Sequence, residues 1–136
     1  QTKHIMKNTQ TILILVIAMI LTSCASTIKF PVSDTNPAAE ISAAKKQDKH
    51  DNYKITVKAK YLASPERLNP PKSTYIVWIK TEQGLKNVGQ LKNKNAKTAV
   101  LETLSPFDVN EIFITAEDKG NVSNPGGIEI SRASFD

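Results

Sequence analysis

The chain is poor in the residues that carry most protein chemistry. It has one cysteine and two histidines in 136 residues, and both histidines, His4 and His50, precede Tyr53. Residues 53–136 therefore cannot build a Cys–His or Ser–His–Asp nucleophile or the usual zinc and copper sites. A single cysteine has no internal disulfide partner. No apolar run approaches the roughly twenty residues of a membrane-crossing helix; the longest, Ile12 to Leu21, is ten. The chain has five glycines. Gly120, Gly126 and Gly127 precede no helical pattern, so they read as turn residues rather than a phosphate cradle. The formal charge of +5 is modest for a nucleic-acid binder.

What is present begins at the N-terminus. Gln1 to Ile5 read as upstream sequence, with translation starting at Met6. Lys7 supplies a short positive region, and ILILVIAMIL has the length of a signal-peptide apolar segment. Leu21-Thr22-Ser23-Cys24 follows at once. This resembles the lipobox of bacterial lipoproteins, an aliphatic residue and two small ones before cysteine. The resemblance implies export, diacylglycerol addition to the Cys24 sulfur, cleavage before Cys24, and acylation of the freed amine. One acyl chain binds a membrane at only about 10⁴ M⁻¹, whereas two or more anchor stably. Lipidation would also remove the liability of a lone free thiol. Membrane lipid is thus the first expected partner, through Cys24, at the cell envelope. Ala25-Ser26 carries no inner-membrane-retaining aspartate, which favours the outer membrane, facing the periplasm, in a cell with two membranes. The remaining chain has sixteen basic and thirteen acidic residues, a formal +3, and export separates it from nucleic acid.

The organisation expected beyond the signal at 1–23 is a lipidated flexible tether at 24–52 and a folded domain at 53–136. Pro31, Pro37 and the polar stretch KKQDKHDN contain too few large apolar residues for a core. AAEISAAKK has good helix formers, so a short helix fits around 38–46. From Tyr53 the pattern is β. YKITVKAKY alternates strictly; its Lys54, Thr56, Lys58 and Lys60 row reads as a solvated face or a lysine-protected edge. STYIVWIKT is apolar on both faces, which suggests a strand covered on both sides. Gly84 fits a hairpin turn, and Gly89 a bulge within LKNVGQLK. KTAVLETL, EIFITAE and GIEISR complete six strands, which indicates an antiparallel sandwich or open barrel; the expected architecture is the all-β sandwich, Ig-like, of about six to seven strands. Trp78, Phe107, Phe113 and Tyr75 are its expected largest core fillers.

Little in that domain points to catalysis or metal. Glu117-Asp118 and the Asp108–Glu111 pair flank strands, where acids are usually solvated, and a glycosidase pair needs a set separation across a cleft. Asp118, Asn121 and Asn124 lack the regular donor spacing of a calcium loop. No cofactor or metal is expected.

Two stretches resemble the extracytoplasmic C-terminal domain of anti-sigma-K-type factors. TYIVWIKTEQGLKNVGQL has its Tyr-x-x-Trp strand, Gly turn and Gly-bearing second strand. EIFITAEDKGNVSNPGGIEIS resembles its closing segment. The resemblance implies a small β-sandwich and no catalytic residues. The resemblance reaches only the outer portion of those factors, so neither their sigma-binding cytoplasmic part nor their membrane-crossing helix is expected of this chain. The function expected is therefore a non-enzymatic interaction or sensor module with an envelope protein partner. Binding would run through a sheet edge or through loops 64–72 and 118–127, represented by Pro70, Pro71, Asn121 and Asn124. The alternative is a small-ligand or carbohydrate binder that stacks its ligand on Trp78, Tyr75 or Tyr61.

Overall fold

The structure, a computed structural model, describes residues 25–135. The expected signal at 1–23, with Leu21, Thr22 and Ser23, and the lipidation site Cys24 lie outside those residues. Among the described residues nine strands are present: β1 (Ser26–Lys29), β2 (Glu40–Gln47), β3 (Tyr53–Lys60), β4 (Thr74–Thr81), β5 (Gly84–Gln90), β6 (Lys92–Asn93), β7 (Thr98–Ser105), β8 (Glu111–Glu117) and β9 (Ile128–Ser134). They form two antiparallel sheets, ordered β1-β2-β3-β7-β6 and β5-β4-β8-β9. This is a small β-sandwich, as the alternation predicts.

Period-two patterning places the core. The inward residues of β3, namely Ile55, Val57 and Ala59, are fully buried, while Lys54, Lys58 and Lys60 stay exposed. Facing them from the four-stranded sheet are Tyr75, Val77 and Ile79 of β4 and Ile112, Ile114 and Ala116 of β8. The opposite face of β4 is also dry. Ile76 and Trp78 pack there with Phe113, under Val122 of the β8–β9 loop. β4 is thus covered on both sides, as its sequence suggests. Gly84 takes φ +105° and Gly89 φ +127°, conformations costly for any residue with a Cβ. The register shifts opposite Val77 and Trp78, where Val88 is the extra residue of the expected bulge.

Two expectations are corrected and one open alternative is decided. The first is the tether. β1 and β2 lie within 24–52, and all eight residues of β2 pair with β3. β2 is a strand, not the short helix expected around 38–46. Ile41 and Ala43 reach the core from it, so among the described residues the fold includes the chain from Ser26 onward and does not start at Tyr53. KKQDKHDN is the end of β2 plus a hairpin turn, in which Asp48 Oδ1 accepts hydrogen bonds from the His50 and Asn52 amides at 2.8 and 2.9 Å. The open alternative is the lysine row. β3 is flanked by β2 and β7, so its lysines form the solvated face of an interior strand, not an edge. The second correction is Phe107, which lies in the β7–β8 turn and is 37% exposed instead of filling the core.

Candidate functional site

The sandwich has two unlike ends. At one, Ser26 pairs with Lys45, Gln47 with Tyr53 and Tyr53 with Ser105. The sheets are tied together there. Lys45 comes from the inward face of β2, and its Nζ reaches Asp108 at 2.7 Å and the Val109 carbonyl at 3.0 Å, lying 4.6 Å over the Phe135 ring. The Phe135 amide donates to the Asn110 carbonyl, and the Asn110 amide to that of Lys80, both at 2.9 Å. This is the end from which Cys24 is two residues away.

The other end gathers the two candidate loops. Thr74 is in register with Glu117, so the loop entering β4 and the loop leaving β8 start side by side. The Ser73 amide donates to the Glu117 carbonyl at 3.0 Å, and Lys72 Nζ lies 3.6 Å from Asp118. Pro70, Pro71, Asn121 and Asn124 are all exposed on these loops. Their neighbourhood comes from the β4–β8 ladder and was not visible in the sequence.

Both loops are held in shape. Asn87 Nδ2 donates to the carbonyls of Gly120 and Val122 at 3.0 and 2.9 Å, while its Oδ1 accepts the Gly89 amide at 2.9 Å. The β8–β9 loop is thereby folded down over Trp78. Gly127 passes so close to β8 that a Cβ there would sit 1.9 Å from the Ala116 carbonyl oxygen. On the other loop, buried Asn36 accepts the Ala63 amide at 3.0 Å, and the Tyr75 hydroxyl donates to the Ala63 carbonyl at 2.6 Å. Burial pushes the Tyr75 hydroxyl above its ordinary pKa; the Asn36 hydrogen bond opposes that and the nearby Glu66 charge adds to it.

The carboxylates considered as pairs in the sequence are each taken up in separate bonds. Asp108 holds Lys45, Glu111 holds Arg132, and Asp118 holds Lys72. Glu117, only 4% exposed, accepts from Thr115 Oγ1 at 2.6 Å, and Thr115 Oγ1 accepts from Trp78 Nε1 at 2.9 Å. This relay satisfies the indole N–H inside the fold. Arg132 lies 4.0 Å over the Phe113 ring. Partial burial would lower its pKa, but the hydrogen bonds to Glu111 and Glu129 outweigh that and raise it. Among the described residues, no three His, Cys, Asp or Glu side chains are placed to hold a metal ion.

Trp78 is wholly buried and Tyr75 nearly so, which removes both as stacking platforms for a sugar or other ligand. Tyr61, 52% exposed, is the remaining candidate. One groove of mixed lining had no signal in the sequence: exposed Leu85, Leu104 and Phe107 share it with polar residues such as Gln83 and Thr103, between β5 and the end of β7. Single apolar residues in amphipathic strands do not reveal such grouping across two sheets. Among the described residues no helix is long and apolar enough to cross a membrane. No protein-family model, curated protein or solved structure matches the chain.

Proposed function

We propose that this chain is a lipid-anchored envelope lipoprotein whose sandwich is a non-enzymatic interaction or sensor module, comparable to the outer domain of an anti-sigma-K-type factor. The carrying observation is one of spacing. A ten-residue apolar run closes on Leu21 of Leu-Thr-Ser-Cys, and the first strand among the described residues begins at Ser26, immediately after the expected cleavage point. A strand that close to the cysteine suits a chain whose mature N-terminus is Cys24.

On this reading the anchor enters at one end of the sandwich and the Pro-rich and Asn-rich loops stand at the other. A protein partner in the envelope would meet Pro70, Pro71, Asn121 and Asn124 there, on loops already fixed by Asn36 and Asn87, so little ordering entropy opposes binding. The anchor is tested by Cys24→Ala with metabolic lipid labelling. Labelling should vanish and uncleaved precursor accumulate; unchanged processing would sink the proposal. The interaction role is tested by crosslinking the wild-type protein and a Pro71→Ala/Asn121→Ala/Asn124→Ala variant in intact membranes. One envelope protein should be captured by the first and lost with the second, and capture of none by either would count against it.

A further inference from the structure

The five-stranded sheet turns an unusual face to solvent. Register places Lys29, Ser42, Lys58, Val100 and Lys92 in one line across all five strands. At a strand spacing of about 4.8 Å, the three lysines of that line stand roughly 10 Å apart. The same alternation puts Lys46, Lys54 and Lys60 on this face, with Glu40 and Glu102 its only acids. Six lysines against two glutamates leave +4 there. The other ten basic and eleven acidic residues of 24–136 nearly cancel, so one sheet face holds the domain's whole positive excess. Two aliphatic side chains rise beside it: Leu104, paired with Lys54 and 61% exposed, and Val32 next to Lys29, 75% exposed.

We infer that this face rests on an anionic lipid surface, so that the sandwich lies on its side with the four-stranded sheet and the Asp118–Gly127 loop turned away from the membrane. The inference rests on the lipid-anchor reading and deepens it. Cys24 is two residues from Ser26, a reach of about 7 Å, and β1 is the edge strand of the lysine-bearing sheet. An anchor this short holds the domain within a Debye length, about 8 Å at physiological salt, where lysines and phosphate headgroups attract. Acyl chains supply the attachment; the lysines set the orientation.

The test uses the processed full-length protein, purified in detergent and characterised by intact mass. It is reconstituted on vesicles of phosphatidylcholine alone or with one-third phosphatidylglycerol, then treated with a water-soluble amine label. Labelling of Lys29, Lys58 and Lys92 should fall about fivefold on the anionic vesicles, the factor equivalent to about 1 kcal/mol per lysine at such a surface. Lys80 and Lys119, on the opposite sheet and its loop, should not change, and the protection should disappear at high salt. Equal labelling on both vesicles, or equal protection of Lys80 and Lys119, would overturn the inference. So would protection by soluble polyglutamate but not by vesicles, which would assign the face to an acidic polymer. If the intact mass shows no lipid on Cys24, the anchor reading fails on its own. Co-sedimentation of that same chain with anionic but not neutral vesicles then still supports the face, and its absence overturns it.

Discussion

Ile41→Ala asks whether residues 26–47 are fold or tether. Ile41 projects from β2 into the core, is 6% exposed, and lies across from Ala59 of β3. The substitution removes three carbons. At about 0.8 kcal/mol for each buried methylene the transfer loss is roughly 2.4 kcal/mol, and the cavity left behind raises it to about 3 kcal/mol. In a domain of this size that lowers the thermal midpoint by about 10 °C. Lys46→Ala, on the exposed outer face of the same strand, is the control and should change stability by less than about 0.5 kcal/mol. Denaturant titrations of the three proteins, followed by circular dichroism, give the comparison. If Ile41→Ala costs no more than Lys46→Ala, β2 does not contribute to the cooperative fold, and the placement of the domain next to Cys24 collapses with it.

Thr115→Val should cost about 2–4 kcal/mol despite conserving shape, because it leaves the buried Trp78 N–H without an acceptor and Glu117 without a donor; a loss under 1 kcal/mol in thermal unfolding would show the relay to be dispensable. Tyr75 gives a pH signature. Its folded pKa is raised above the ordinary 10.0, so its contribution is complete below that value and declines as pH rises through it toward the folded one. Denaturation midpoints from about pH 8 to pH 11 should fall for wild type and stay flatter for Tyr75→Phe; parallel curves would contradict the assignment.

The strands that sequence reading finds are those whose own alternation or apolarity suffices. Ile55, Val57 and Ala59 against three lysines can only be one face of a strand, and the double-sided apolarity of Thr74–Thr81 marks the strand covered by Val122. Gly84 and Gly89 mark their turn and bulge because backbone with positive φ favours glycine. EISAAKKQ fails for a physical reason. Its inward positions are Ile41, Ala43 and Lys45, a single large apolar residue, an alanine and a lysine whose amine goes to Asp108. Its intrinsic preference is helical, and pairing with β3 overrides it, as tertiary context does for strands generally. The site divides the same way. Loops are visible from proline, glycine and asparagine, but their adjacency depends on which strands neighbour one another. The lysine line across five strands likewise depends on register, with Lys29 and Lys92 sixty-three positions apart.

The position of β1 has a mechanical side. It is a four-residue strand at the edge of its sheet, paired among the described residues only with β2, and its first residue, Ser26, lies two positions from Cys24. If Cys24 carries the proposed lipid, force on that link directed away from the sheet face would reach the domain there and open the pairs from Ser26 onward one at a time, as a zipper rather than in shear. Peeling would stop at Phe30, seated in the core, and at Pro31, whose carbonyl accepts the Ser131 hydroxyl at 2.8 Å. Four residues give about 13 Å of slack, so the strand would act as a short spring that yields before the sandwich carries load.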